Sequence, residues 1–338
     1  MDISNAAERD DQTAEPLQYV SDILDDIADP KPDERTITDP DRAAQLIAGE
    51  TRSRISAVLE RFGGRPAVLL SGGVDSIYVA AVAVALGAEP VAVTVVTDGE
   101  HNEANAAVAA AALGLRHHVV RLGAADVTEL SRDVMGRLGT SELWEVTAGI
   151  PLIAARRVFA AIPDLGAILG GSGADAIFGG GRQLTHPPTS PAARIELDGL
   201  IRAESAANFR YDRLVPHFYP ALLDEYADCL IHVYQTVRWW RLAETFAPPA
   251  LFGTHNGHPI DKLALRLACA TALPADSKHL AWSAKSPIQR SSGLMRALAS
   301  AARTYAADLP GARTYSDPMT EDAEAVAARL YLAILEKG

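Results

Sequence analysis

Residues 67–76, AVLLSGGVDS, constrain the fold more tightly than any other stretch of this chain. Ala67, Val68, Leu69 and Leu70 form a short apolar run without polar alternation, the pattern of a strand covered on both faces in a parallel sheet. Ser71 to Ser76 make a turn of small residues, and Ile77–Leu86, rich in alanine and valine, reads as a helix. A strand that feeds a helix through such a turn leaves free backbone N–H groups at the helix start, where the dipole also favours negative charge. Gly72 and Gly73 let the backbone approach an anion closely, and Ser71 and Ser76 add hydroxyl donors. Asp75 suits this setting as a ligand to a divalent cation accompanying the anion; capping the helix is its plainer alternative. The Gly-Lys-Ser/Thr ending of the common phosphate loop is absent.

The chain then alternates. Val91–Val96 and His117–Arg121 read as strands, and Glu103–Leu113, Ala125–Leu138 and Val146–Ala161 as helices. Ala167–Leu169 is a further strand that runs into a second glycine-rich turn. This predicts an α/β fold, a parallel sheet with helices on both faces. Ligands bind such sheets at the carboxyl ends of the strands, where Ser71 and Gly170 both stand, so two glycine turns face one site. From about Pro191 the pattern becomes mostly helical, with Tyr226, Tyr234, Trp239, Trp240 and Phe246 as core, which predicts a C-terminal helical subdomain.

Before the first strand, residues 1–15 are polar and acidic. Leu17, Val20, Ile23, Leu24 and Ile27 recur at helical spacing and predict a short amphipathic helix. Residues 29–41 read as a linker rich in proline and charge. Asp41 is the expected cap of a helix reaching about Phe62, with Ile47, Ile55, Val58 and Leu59 facing inward. The expected division is an acidic segment 1–41, a main domain 42–300 whose helical part begins at about residue 191, and a helical extension 301–338.

Charge and composition exclude several classes. The net charge is −12, and residues 1–50 carry 14 acidic against 4 basic side chains, so the rest is nearly neutral. A nearly neutral body offers no basic field for nucleic acid. No signal peptide opens the chain and no apolar run approaches the roughly 20 residues that span a bilayer; a cytoplasmic protein is expected. Cys229 and Cys269 sit in helical-looking apolar contexts and read as core residues. His101, His117 and His118 show no metal-ligand spacing.

Two motifs carry a family resemblance. SGGVDS resembles the pyrophosphate (PP) loop of the ATP pyrophosphatases, which cleave ATP to AMP and pyrophosphate. The stretch 169–181, LGGSGADAIFGGG, resembles the asparagine synthetase pattern at Gly171, Gly173, Asp175, Phe178, Gly179 and Gly180. Pro151 and Leu152 match the helix before that strand. Lys285, Pro287 and Gly293 resemble the family's lysine loop, and His258 to Asp261, followed by Lys262 and Arg266, its Arg-Val-Pro-Phe-Leu-Asp segment. Over roughly residues 50–300 the chain resembles the synthetase domain shared by asparagine synthetase and β-lactam synthetase, with the adenine nucleotide alpha hydrolase-like fold that implies.

The resemblance implies a ligase using ATP and Mg²⁺. A carboxylate attacks the α-phosphorus, pyrophosphate departs, and ammonia or an amine then displaces AMP from the acyl carbon. Ser71, Gly72, Gly73 and Ser76 would cradle pyrophosphate, Asp75 and Asp175 would hold Mg²⁺, and Lys285 would stabilise charge on the α-phosphate and the oxyanion. Adenine would lie near Leu69, Val93 and Gly171, with Gly173 in the second turn. His258 reads as structural.

Two departures shape the expected chemistry. The family's glutaminase domain begins with a cysteine after Met1, whereas Asp2 follows here; nitrogen is expected as free ammonia, from a partner glutaminase, or as another amine. Ser172 stands where asparagine synthetases carry glutamate and β-lactam-forming relatives tyrosine, and Ala176 replaces a family acidic residue. The product is therefore not expected to be asparagine, and specialised metabolism is the expected setting. Glu204 and Glu145 are candidate replacement bases. The expected partners are a small-molecule or peptide carboxylate and an amine donor, with no nucleic acid and no membrane; self-association into a homo-oligomer stays open. Alternatives are a sulfur- or RNA-modifying enzyme of the same ATP superfamily, or a non-catalytic homologue.

Overall fold

The computed structural model describes residues 28–97, 103–209, 215, 217–283 and 292–337. The amphipathic helix expected over residues 17–27 lies outside them. Helix α1 (Pro40–Phe62) precedes strand β1 (Arg65–Leu69), α2 (Val74–Ala85) and β2 (Val91–Thr97). Then come α3 (Glu103–Ala112), β3 (His117–Leu122), α4 (Ala124–Leu138), α5 (Leu143–Phe159) and β4 (Leu165–Gly170). The elements follow the sequence pattern because each apolar run is bounded by glycine, proline or polar residues.

The strands pair in parallel, in the order β3-β2-β1-β4-β5, with β5 formed by Leu230–His232. From β1 the chain winds outward to β2 and β3, then returns to the other side of β1 as β4. The direction of winding thus reverses between β1 and β4, and a crevice opens at their carboxyl ends. Register sets Leu69 beside Val93, Val68 beside Leu169, and Gly170 beside His232. Alternate residues of β1 serve opposite faces. Val68 packs with Ile47, Ile55 and Ile77, and Ala67 with Val134, Ile150 and Phe159.

The second half departs from the sequence expectation in two places. β5 supplies a sheet strand from a stretch read as helix, and Cys229 ends a short 3₁₀ turn just before it. Three residues are too few to display a period, so length and apolarity alone misled. The other is a hairpin of β6 (Gly253–His255) and β7 (His258–Ile260), joined through Asn256 and Gly257, both at positive φ. Helices α6 (Ala174–Phe178), α7 (Pro191–Phe209), α8 (Phe218–Leu223), α9 (Val237–Glu244), α10 (Pro248–Leu251) and α11 (Leu263–Ala272) make up much of the remainder. The expected boundary at residue 300 falls inside α12 (Leu294–Ala307), which is followed by α13 (Ala323–Lys337).

The segment read as a linker, residues 29–41, is built into the body. Arg35 is fully buried; its Nε donates to Asp198 Oδ1 at 2.9 Å and its Nη1 to the Ala243 carbonyl at 3.1 Å. Arg202 joins Asp198 to Glu244 at 2.8 and 2.6 Å. Ile37 exchanges backbone hydrogen bonds with Thr245 and Ala247. The cap of α1 is Asp39 rather than Asp41: its side chain accepts from Asp41 N at 3.0 Å, with Pro40 at the first helical position, as proline's fixed φ favours.

Candidate active site

The first turn is held by its own serines. Ser76 Oγ donates to the Gly73 carbonyl at 3.1 Å and accepts from Ser71 N at 3.1 Å; the two serine hydroxyls are also 3.1 Å apart. Gly72 has a φ of 81°, and Gly73 caps α2 in extended conformation. Thr94, on the neighbouring strand, donates to the Leu70 carbonyl at 2.6 Å and so fixes the strand end from which the turn departs. Burial of His117, whose Nε2 is 2.8 Å from Thr94 Oγ1, lowers its pKa.

The second turn packs on the first. A Cβ on Gly171 would stand 2.8 Å from Ser76 N and 2.9 Å from the carbonyl carbon of Asp75. Gly173 adopts φ 99° and starts α6, which carries Asp175. Phe178 anchors this turn among Tyr234, Trp239 and Phe246, at ring separations of 6.0, 5.7 and 6.2 Å. A Cβ on Gly180 would fall 2.0 Å from Asp175 Oδ1, so glycine is required for the carboxylate to lie where it does.

A residue that the sequence matched to a family segment, without giving it a role in the site, joins the two turns. Lys262 is fully buried, and its Nζ donates to Asp75 Oδ1 and Oδ2 at 2.6 and 2.9 Å and to Asp175 Oδ1 at 2.9 Å. Burial opposes its charge, yet the two carboxylates raise its pKa. It reaches them from a left-handed backbone, φ 50° and ψ 36°, at the start of α11. Asp261 beside it accepts from Gly181 N and pairs with Arg266 at 2.8 Å. Burial works to raise the Asp261 pKa, but these partners hold it below the usual carboxylate value.

The remaining expected residues fall in different places. Leu69 is half-buried at the crevice, but its neighbour Val93 is 2% exposed and turned into the core, so little of Val93 remains for an adenine ring. Ser172 is exposed and accepts from Gln235 Nε2 at 3.0 Å, while Gln235 Oε1 is buried without a hydrogen-bond partner among the described residues. Glu204, expected as a base, is instead ion-paired with Arg182. Glu145 lies in the first turn of α5. His258 is exposed in the hairpin. Burial pushes the Cys269 thiol far up, in keeping with a core role. Lys285 lies outside the described residues. Its described flanks are tied to the same end of the fold: Ser283 O accepts from Arg266 at 3.0 Å, and Ser292 O from Thr97, at the carboxyl end of β2, at 2.8 Å.

Asp75 and Asp175 suit Mg²⁺ shared with a polyphosphate better than a resident metal. Among the described residues no group of three or more His, Cys, Asp and Glu side chains is placed to hold a metal, and Mg²⁺ commonly takes one or two carboxylates together with substrate phosphates and water.

The family model for asparagine synthase matches residues 61–229, half of the chain and both glycine turns. The chain belongs to the asparagine synthase family. In general class this makes it an ATP-using carbon–nitrogen ligase of the pyrophosphate-loop type. No curated protein matches it. Among solved structures, the NH3-dependent NAD synthetase of Campylobacter jejuni is 19% identical with a TM-score of 0.30, covering 41% of this chain and 61% of that one. NMN synthetase from Francisella tularensis is 15% identical at 0.29, covering 74% and 98%. NAD+ synthetase from Burkholderia pseudomallei is 20% identical at 0.28, covering 63% and 98%. No described helix is long and apolar enough to cross a membrane.

Proposed function

We propose that this protein is an AMP-forming amide ligase that adenylates a carboxylate and passes the acyl group to ammonia or another amine. The observation that carries this reading is the meeting of two glycine turns at the switch point, with Asp75 and Asp175 on one buried ammonium. Such a pair of turns serves a substrate with concentrated negative charge and a leaving group to be held apart from it.

In this reading Ser71, Gly72, Gly73 and Ser76 bind the β- and γ-phosphates through hydroxyls and backbone N–H groups. Asp75 and Asp175 would hold Mg²⁺, whose charge would offset that of the pyrophosphate leaving group. A carboxylate oxygen bonds to the α-phosphorus as the bond to the β-phosphate bridge breaks. Lys285 then stabilises the charge that builds on the α-phosphate and on the tetrahedral oxygen. Leu69 and Gly171 border the adenine.

The amine enters on the side of Ser172. A serine hydroxyl does not act as a base at neutral pH, so Ser172 and Gln235 position the nucleophile; its nitrogen bonds to the acyl carbon as the bond from that carbon to the AMP oxygen breaks, and the proton passes to water. This arrangement favours a product other than asparagine. The test is pyrophosphate release from ATP and Mg²⁺ in the presence of candidate carboxylates: one of them should trigger release in the wild type and not in Asp175→Asn. Release that ignores every carboxylate and persists in that variant would remove the basis for this reading.

A further inference from the structure

Lys262 has a place in the site that binding pyrophosphate does not explain. It is fully buried, yet three of the four oxygens of Asp75 and Asp175 accept from its single ammonium. Its backbone sits at φ 50°, ψ 36°, a conformation that a long L side chain adopts rarely and that persists only where the surroundings impose it. Asp261 imposes it from one side, held by Gly181 N and by Arg266, and Arg266 N bonds back to the Lys262 carbonyl at 3.0 Å. The chain is thus bent locally so that one cation lies between two carboxylates.

We propose that Lys262 is a built-in counter-ion that denies the Asp75–Asp175 pair a divalent cation until a polyphosphate brings one. The inference rests on the reading of these two aspartates as Mg²⁺ ligands. Two carboxylates alone would present two negative charges a few ångströms apart and would attract a divalent ion strongly. Lys262 between them offsets much of that charge, and a third protein ligand of the usual types is missing among the described residues. Pyrophosphate or ATP adds the further anionic oxygens that Mg²⁺ prefers. The exposed flank of the pair is Asp175, whose side chain is 43% exposed against 18% for Asp75, so the metal–nucleotide complex meets Asp175 first, opposite the buried ammonium. Lys262 acts here as a positioning residue: it also keeps both carboxylates in place while no metal is bound.

The experiment is Mn²⁺ binding to the full chain, followed by electron paramagnetic resonance, with and without pyrophosphate. Wild type should leave Mn²⁺ free when alone and bind it when pyrophosphate is present. Lys262→Met should bind one Mn²⁺ without pyrophosphate, at least about tenfold more tightly than wild type, because a neighbouring positive charge has gone. Lys262→Arg should behave as wild type, and Asp175→Asn added to Lys262→Met should remove the gain. Lys262→Gln serves as a second neutral variant, and thermal melting identifies which variants are folded. A folded neutral variant that binds Mn²⁺ no better than wild type, or a wild type that binds it stoichiometrically without pyrophosphate, would overturn the inference. Failure of wild type to bind Mn²⁺ with pyrophosphate would instead count against the ligase reading itself.

Discussion

Gly171 lies so close to Ser76 that a Cβ on it would stand 2.8 Å from the Ser76 backbone nitrogen. The contact is with main chain, not with the movable end of a side chain. The carboxyl end of β4 and the amino end of α2 are therefore locked at a fixed spacing, and the glycine turns they carry are locked with them.

Gly171→Ala should force the two turns apart. Overpacking of this kind costs about 1–3 kcal/mol, so the variant should fold with a lowered melting temperature. Its affinity for a non-hydrolysable ATP analogue should fall in calorimetry. Unchanged nucleotide affinity would mean that the turns do not bind phosphate as a unit.

Gly180→Ala tests the other close approach. The added methyl would displace Asp175 Oδ1, which lies 2.0 Å from that position. Misplacing a catalytic constellation by about 1 Å can cost on the order of 100-fold in rate. Pyrophosphate release should drop by about that factor, while circular dichroism stays that of the wild type.

Much of this site could be read from the sequence because its parts are local. SGGVDS and LGGSGADAIFGGG each run from an apolar strand into the start of a helix, so residue type and position in the fold agree. Lys262 was harder to read. It is one of five lysines and directly precedes the apolar stretch LALRLACATAL, which is the signal that it is buried; its two partners are 187 and 87 residues away, and no local pattern reports such distances. The hairpin at residues 253–260 was signalled by Asn256-Gly257, a strong turn pair. The linker reading failed because Arg35 meets its partner Asp198 far along the chain.

The buried ion network makes stability depend on acid. Burial works to raise the Asp198 carboxyl, but Arg202, Arg35 and the Lys31 N–H offset it and hold its pKa below the usual carboxylate value. A group depressed in this way adds stability that is fully present above its unfolded pKa of about 3.9. That stability is lost as pH falls from there through the lower folded value. Asp198→Asn should cost about 3–5 kcal/mol at neutral pH by leaving Arg35 and Arg202 short of a charge partner. Urea denaturation across a pH series should show a shallower acid slope for the variant. Equal slopes would mean that the network contributes nothing to acid sensitivity.

Ser172 and Gln235 should affect the second half of the reaction and spare the first. Gln235→Leu removes the donor to Ser172 Oγ and the buried Oε1 acceptor; one such hydrogen-bonding group is worth about 1–3 kcal/mol. Amide product should fall about tenfold or more, in line with that energy, whereas carboxylate-dependent exchange of pyrophosphate into ATP should persist. Loss of both activities together would place the pair in the nucleotide half of the site.

The most direct test of the ligase account is isotope exchange between pyrophosphate and ATP across a panel of amino acids and other carboxylates, without any amine. Wild type should catalyse exchange with one class of carboxylate, and Asp75→Asn and Lys285→Ala should both lose it. Exchange that needs no carboxylate, or that survives both substitutions, would contradict the assignment of this site to carboxylate adenylation.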